Sequence, residues 1–210
     1  IIDLIEKGCW SNTHKLGGED NLKLSIEEGI IHFNDQQFDV NDLPMHGRHN
    51  LNNVVMAMYT SFLYGVDPQK SFSALKNSKG VKRRFETVFK NSDKIVIDDF
   101  AHHPTAISFT VQAAKNHFSD KKIVGIIELA SNTMSRGHHG GELYDSAAGL
   151  EQVYWLNLSS KKNQNFEYDS INLLLEDLKK DINNIDVILI MSNKDSKKIS
   201  EPIIDLIKNK

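Results

Sequence analysis

The second half of this sequence predicts an α/β fold built on a mostly parallel, doubly wound sheet. From about residue 94 onward, apolar strand-like runs alternate with segments whose apolar residues recur at helical spacing. Such alternation is typical of parallel strands that are joined by crossover helices. The run at 122–129 is apolar almost throughout, which predicts a buried strand.

The first 78 residues have a different pattern. Residues 22–40 contain short, loosely alternating apolar runs, which predict a β-hairpin. Apolar residues at spacings of three and four then predict a helix over 51–63, and Gly65 ends it. A second helix is expected over 68–76. The pattern changes after 77–80, where we place a domain boundary.

The elements of the second half follow in strict order. They are a strand at 94–98, a helix at 105–118, a strand at 122–129, a helix at 141–150, a strand at 152–157, a helix at 170–181, a strand at 186–191 and a helix at 197–208. Pro202 is expected to shift the start of the last helix. In parallel sheets, ligands bind beyond the carboxyl ends of the strands. Polar residues follow three of the predicted strands, at 98–103, 128–134 and 192–193.

The composition excludes several classes of protein. Of the 210 residues, 40% are hydrophobic and 25% are charged, and the net charge of −3 favours neither nucleic acid nor a membrane surface as a partner. No apolar run approaches the ~20 residues that span a bilayer. The lone cysteine, Cys9, fits a reducing compartment, so we expect a cytoplasmic protein. Because the first residue is Ile1, we expect a piece of a longer chain; the sequence does not indicate an oligomeric state.

Two acids and two histidines surround a predicted strand-to-helix turn. Asp98 and Asp99 end the strand, His102 and His103 follow, and Pro104 opens a helix whose N-terminal end carries positive partial charge. An acid there can accept hydrogen bonds from a ribose or orient a basic group, and a histidine can donate to a phosphate. The simpler alternative is that one acid caps the helix and the histidines lie at the surface.

Two further clusters suit a nucleotide. Arg84, the last of three consecutive cations, precedes Phe85 at the domain boundary, and a guanidinium binds phosphate through its planar fork. A solvated basic linker is the alternative. Asn50 and Asn53 share a helix face and can present amides to a base edge. Capping of the helix by His49 or Asn50 would explain the same residues.

The loop after the most apolar strand is rich in small polar residues. Ser131, Asn132 and Thr133 suit a zwitterionic substrate, although an ordinary polar loop has the same composition. His138 and His139 raise a second hypothesis, a metal-dependent phosphoesterase that also uses the Asp and His residues at 98–103. Their spacing fits no standard metal site, so we assign no metal ligand within the chain.

Two phosphate-binding motifs are absent from the sequence. It contains neither G-x-G-x-x-G after a strand nor G-x-x-x-x-G-K-[ST]. A nicotinamide dehydrogenase is therefore not supported, and the chain by itself has no phosphate cradle for ATP.

In their order and spacing, these clusters resemble the Mur ligase family. The helix-start H-N-x-x-N, the linker R-R-F and the strand-end D-D-F-A-H-H-P are typical of its members, and S-N-T-M is similar to its murein peptide ligase branch. The resemblance runs from about Gly8 to the final helix. It implies that residues 1–78 are the last part of a central ATP-binding domain and that residues 80–210 form a Rossmann-like C-terminal domain.

The resemblance also implies an activity. Members of this branch are ADP-forming carbon–nitrogen ligases that join the murein tripeptide L-Ala-γ-D-Glu-meso-diaminopimelate to UDP-N-acetylmuramate in peptidoglycan recycling. The implied cofactors are ATP and Mg²⁺, with the phosphate-binding loop and the metal ligands expected upstream of this chain. A UDP-N-acetylmuramate–L-alanine ligase or another Mur synthetase is the alternative within the family. For the chain studied alone, the alternative is a non-catalytic binding domain.

By resemblance, one set of residues contacts the nucleotide. These residues are His49, Asn50, Asn53, Arg84, Asp99 and His102. Arg84 and Asp99 are the two catalytic assignments: Arg84 contacts the phosphates after domain closure, and Asp99 orients the ribose or that arginine.

A second set lies toward the peptide substrate. Ser131, Asn132 and Thr133 match the branch, but Ala130 stands where the branch has an arginine. Arg136 is the candidate replacement for that cation.

Overall fold

The chain divides into two compact units in the computed structural model, which describes residues 8, 13–14, 22–25, 29–129, 140–156 and 166–209. Unit 1 comprises Ile1–Pro44 and Arg48–Lys79, and unit 2 comprises Met45–Gly47 and Gly80–Lys210. Within the described residues, no helix has the length and apolar character needed to cross a membrane.

Among its described residues, unit 1 contains a small antiparallel sheet, two α-helices and a short 3-10 helix at Val40–Asp42. The strands are β1 (Leu22–Ser25), β2 (Ile30–Phe33) and β3 (Gln36–Asp39), paired in the order β1-β2-β3. The hairpin expected over 22–40 is therefore a three-stranded meander. The extra strand follows a tight turn in which Asn34 has a φ of 50°, a conformation that asparagine adopts more readily than most residues.

The helices of unit 1 are α1 (Arg48–Leu63) and α2 (Pro68–Lys76). Helix α1 begins before His49 and Asn50, so both lie in its first turn; the expectation that one of them caps it is wrong. At α2, by contrast, Asp67 is the N-cap, and its Oδ1 accepts a hydrogen bond from the backbone N–H of Gln69 at 2.9 Å.

Unit 2 contains a six-stranded sheet and four helices among the described residues. The elements are β4 (Glu86–Lys90), β5 (Ile95–Asp99), α3 (Pro104–His117), β6 (Ile123–Glu128), α4 (Gly140–Asp145), β7 (Gln152–Leu156), β8 (Glu167–Tyr168), α5 (Ile171–Asp181), β9 (Val187–Met191) and α6 (Lys197–Lys208). The strand order is β4-β5-β9-β6-β7-β8. All neighbours pair in parallel except β4, which is antiparallel to β5.

Helices cover both faces of this sheet. One hydrophobic cluster joins Ile107 and Val111 of α3 and Leu143 of α4 to the sheet. The other joins Leu174 of α5 and Ile203 of α6 to the opposite side. The predicted doubly wound, mostly parallel α/β fold is confirmed. Because the helices after β5 and β9 lie on opposite faces, the ends of these neighbouring strands form the kind of crevice where ligands bind in such folds.

Two local predictions in unit 2 are wrong. The helix expected over 141–150 ends at Asp145, since the chain turns at 146–149 and Gly149 has a φ of 99°. The last helix spans Lys197–Lys208, as predicted, but Pro202 lies inside it and does not shift its start, so that expectation is wrong. A proline in the second turn removes one backbone hydrogen bond, and burial of Ile199 and Ile203 against the sheet offsets that loss.

Two neighbouring leucines of α5 test the burial on this face. Leu174 is 0% exposed and Leu173 is 48% exposed. We expect Leu174→Ala to lower the free energy of unfolding by about 2–5 kcal/mol through lost burial and a residual cavity. The matched control, Leu173→Ala, should change it by less than ~0.5 kcal/mol in urea denaturation. Equal effects of the two changes would contradict the packing of α5.

Candidate functional site

Three strand ends meet at the carboxyl edge of the parallel sheet. In the register, Asp99 of β5 lies opposite Met191 of β9, and Met191 lies opposite Ile127 of β6. Just past β9, the Ser192 hydroxyl donates a hydrogen bond to Glu128 Oε2 at the end of β6. The polar residues Asp99, Glu128 and Ser192, which follow or end three separate strands in the sequence, therefore lie together at one edge.

Asp99 is buried, and protein donors engage both of its carboxylate oxygens. Asp99 is only 1% exposed. Oδ2 accepts from the backbone N–H of Phe85 at 2.7 Å, and Oδ1 accepts from the Ala101 N–H at 2.8 Å and from the Thr110 hydroxyl at 3.2 Å. Asp99 thus fixes the linker before β4 and the turn before α3. Its assigned contact with a nucleotide stays a prediction.

Asp98 is also buried, in a different environment. Its Oδ2 accepts from the Ser196 hydroxyl at 2.6 Å and lies 3.5 Å from Arg83 Nε, while Oδ1 has no hydrogen-bond partner among the described residues. Burial raises the pKa of Asp98; the Ser196 hydrogen bond and the Arg83 charge oppose this, and Glu86 and Asp99 add to it. Neither acid caps α3, whose N-cap is His103, so that alternative is wrong.

The segment at 81–85 is held against the sheet. Arg83 and Phe85 have φ values of 58° and 56°, a left-handed conformation that costs a non-glycine residue roughly 1–2 kcal/mol. Phe85 is buried, and its ring stacks on that of Phe118 at 6.2 Å. The alternative of a solvated basic linker is therefore wrong for Arg83 and Phe85, whereas Lys82 and Arg84 are exposed.

Arg84 differs from both of its neighbours in the chain. It is exposed, and its guanidinium lies 6.0 Å from the centroid of the Phe100 ring. Its side chain forms no hydrogen bond or ion pair with any other described residue. Such a cation at the edge of a parallel sheet is free to take an anionic ligand.

His102 presents one ring nitrogen away from the backbone. Its Nδ1 lies 2.8 Å from the carbonyl oxygen of Phe100. Because a carbonyl can only accept, Nδ1 carries the hydrogen, and Nε2 is the acceptor of the neutral ring. His102 is half-buried and His103 is exposed.

The candidate residues of unit 1 differ in exposure. Asn50 is 4% exposed, His49 is half-buried and Asn53 is exposed, although all three lie near the start of α1. Of the two amides, that of Asn53 is the one open to solvent. Contact of these residues with a nucleotide stays a prediction.

The proposed peptide-binding residues lie outside the described residues. These are Ser131, Asn132, Thr133 and Arg136, and the same holds for Ala130 and the pair His138 and His139. Across residues 29–129, 140–156 and 166–209, no group of three or more His, Cys, Asp or Glu side chains could hold a metal ion.

Sequence reasoning missed Arg83 and Ser196 as parts of this site. The Arg83 guanidinium donates to the Ser192 carbonyl at 2.5 Å, and Ser196 reaches Asp98 across 98 positions of the chain. The only available signal was the position of Ser196 directly before a predicted helix that follows a buried strand.

Comparison with known families adds an independent finding. A family profile described as "Mur ligase, glutamate ligase domain" matches residues 83–194, within unit 2. That stretch includes Arg84, Asp98, Asp99 and the end of β9.

Two curated relatives are UDP-N-acetylmuramate–L-alanine ligases. UDP-N-acetylmuramate–L-alanine ligase of Ligilactobacillus salivarius is 39% identical over 106 residues, covering 50% of this chain and 23% of the relative. The enzyme of that name from Streptococcus pneumoniae is 32% identical over 163 residues, covering 78% of this chain and 36% of the relative. This chain therefore spans about a quarter to a third of these proteins.

A solved structure matches the whole chain. It is a murein peptide ligase from Psychrobacter arcticus, with 27% identity and a TM-score of 0.71, covering 100% of this chain and 49% of that one.

The hydrogen bonds of Asp99 lead to a stability prediction. Asp99→Asn places an amide NH₂ against one of the three donors, so we expect the free energy of unfolding to fall by about 1–3 kcal/mol. Asp93→Asn, at an exposed position before β5, is the control and should change it by less than ~0.5 kcal/mol. Thermal and urea unfolding measure both, and an unchanged Asp99→Asn protein would refute the role given to this carboxylate.

Proposed function

This chain belongs to the Mur ligase family, and we propose that it is the C-terminal portion of an ATP-dependent, ADP-forming amide ligase of peptidoglycan metabolism. Residues 1–78 are then the last part of the central ATP-binding domain, and residues 80–210 are the Rossmann-like C-terminal domain. The lone cysteine and the nature of the substrates favour the cytoplasm as the site of the reaction.

One observation carries the proposal: Arg84 is an exposed cation whose side chain forms no hydrogen bond or ion pair with a described residue, and it lies between two residues in left-handed conformations. Strained backbone of this kind persists where surrounding contacts enforce it, and it concentrates at functional sites. The flanking residues are bound to the sheet, so the direction of the Arg84 side chain is restricted. A fixed guanidinium suits the phosphates of ATP.

ATP supplies the phosphoryl group that activates a carboxylate for attack by an amine, and Mg²⁺ neutralises charge on the phosphates. Two side chains of unit 2, those of Arg84 and His102, are suited to binding ATP. Arg84 binds phosphate oxygens and stabilises the charge that develops during transfer. His102 offers Nε2 to a ribose hydroxyl. The phosphate-binding loop and the metal ligands belong to a segment upstream.

The remaining nucleotide contacts come from α1 and from the end of β5. Asn53, with Asn50 and His49, faces the adenine, because amides can donate to and accept from a base edge. Asp99 acts mainly by orienting the linker that carries Arg84. Ligases of this kind work by positioning reactants and by electrostatic stabilisation, so no covalent nucleophile is required in the protein.

We propose the murein tripeptide L-Ala-γ-D-Glu-meso-diaminopimelate as the amine component and UDP-N-acetylmuramate as the acid component. The likeness to the Psychrobacter arcticus murein peptide ligase over the whole chain supports the tripeptide, as does the S-N-T-M sequence at 131–134. Ser131, Asn132 and Thr133 would bind this peptide, with Arg136 pairing with a carboxylate. The reaction would return a recycled peptide to cell-wall synthesis.

L-Alanine is the second candidate for the amine component. The curated relatives at 39% and 32% identity carry the name of the L-alanine-adding ligase, and this observation favours the smaller acceptor. The phosphoesterase hypothesis has no support, because the relatives described above are ligases.

Removal of the Arg84 guanidinium tests the proposed role. In the protein expressed from its whole gene, Arg84→Ala should lower ADP release dependent on both substrates about 30- to 1000-fold, since a contact of this kind is worth ~2–4 kcal/mol in the transition state. Lys82→Ala, which removes an exposed cation two residues earlier, is the matched control and should retain activity. If Arg84→Ala stays within about twofold of the wild type, the assignment is wrong.

A direct competition identifies the amine component. With UDP-N-acetylmuramate and ATP fixed, the tripeptide should give a kcat/KM at least ~100-fold higher than free L-alanine, because a pocket that binds several polar groups discriminates against an acceptor that lacks them. A preference for L-alanine would assign the chain to the alternative ligase. Loss of turnover with both amines would refute the amide ligase itself.

A further inference from the structure

Arg83, the residue before Arg84, forms its contacts with the protein itself. Arg83 donates through Nη2 to the Ser192 carbonyl at 2.5 Å, and its guanidinium carbon lies 4.9 Å from the centroid of the Phe100 ring. Its backbone N–H donates to Glu86 Oε2 at 2.8 Å, and its carbonyl accepts from the Phe100 N–H at 2.8 Å. The backbone N–H, the backbone carbonyl and Nη2 of Arg83 therefore all form hydrogen bonds within unit 2.

Asp98 and Ser196 help to hold the Arg83 guanidinium in place. Asp98 Oδ2 lies 3.5 Å from Arg83 Nε and accepts from the Ser196 hydroxyl. Ser196 is buried and is the residue directly before α6. Because its hydroxyl bonds to Asp98, it makes no capping hydrogen bond to that helix. Helix caps normally contribute to stability. The Ser196 hydroxyl instead donates its hydrogen bond to Asp98 in β5.

The same arrangement extends to a third strand. Ser192, whose carbonyl receives Arg83, donates through its hydroxyl to Glu128 at the end of β6. The three strand ends β5, β9 and β6 are thus joined to the segment at 81–85 through one arginine. A side chain that bonds to separate elements fixes its own backbone relative to all of them.

We infer that Arg83, Asp98 and Ser196, together named the Arg83 clamp, are positioning residues that set the direction in which Arg84 projects. The left-handed backbone at Arg83 turns the next residue outward, and the clamp holds that turn. This inference deepens the proposed function and rests on it for the effect on turnover. The effect on the geometry of the segment does not depend on the reaction.

Hydrogen exchange tests the clamp in the 210-residue chain. Arg83→Met keeps the alkyl stem but removes both polar contacts, and we expect the Phe100 amide, which donates to the Arg83 carbonyl, to exchange about tenfold faster. Ser196→Ala, a milder change, should accelerate the same amide to a smaller extent. Ser200→Ala removes another buried serine hydroxyl from α6 without touching Asp98, and it should leave that amide unchanged. Exchange that is unchanged in Arg83→Met would overturn the inference.

A double-mutant cycle tests whether the clamp acts through Arg84. In the protein expressed from its whole gene, Arg83→Met should lower kcat/KM for ATP about tenfold when Arg84 is present and less than about twofold in the Arg84→Ala background. Arg83→Lys should recover part of the loss, because a single ammonium can reach one of the two acceptors. A purely structural role would reduce activity equally in both backgrounds, and that result would overturn the inference.

The two experiments separate this inference from the proposed function. If the wild-type protein shows no ATP-dependent amide formation, the proposed function fails, and the exchange of the Phe100 amide alone decides the clamp. If the wild type is active and the cycle shows no coupling between positions 83 and 84, the proposed function stands and the clamp is refuted.

Discussion

The carboxylate of Asp99 is the constraint on which the rest of this site depends. It is buried at the end of β5, where an unpaired charge would be costly, and three protein donors satisfy it. Those donors come from the linker before β4, from the turn after β5 and from α3. One side chain therefore fixes the relative positions of three segments, and its bond to the Phe85 N–H helps to hold that residue in its left-handed conformation.

Asp98 and Asp99 have the same side chain but lie in different surroundings. Asp99 faces backbone N–H groups and a hydroxyl, whereas Asp98 faces Ser196 and the edge of a guanidinium. Burial raises the pKa of Asp98, so its ionised form is less favourable in the folded chain than in water. Adjacent residues on a strand point to opposite faces, which places one acid toward α3 and the other toward α6.

Much of the architecture was readable from the sequence, and the missing parts have physical causes. Long buried runs such as β6 and β9 have an unambiguous pattern, but β8 is only two residues long and β4 is an edge strand with polar residues at both ends. The clusters at the strand ends were found because strand ends are local features. The bond from Ser196 to Asp98 was not, since it depends on β9 pairing beside β5, which no local pattern specifies.

The position of β9 has a consequence for how this chain is made. β9 is an inner strand of the sheet, paired to both β5 and β6, yet among the described strands of unit 2 it is the last to leave the ribosome. Until it emerges, β5 and β6 have no neighbour on their inner edges, and such unpaired apolar edges invite association with other chains. Assembly of unit 2 must therefore wait until β9 has been synthesised, and a ribosome that stops before residue 187 would release a chain unable to close its sheet.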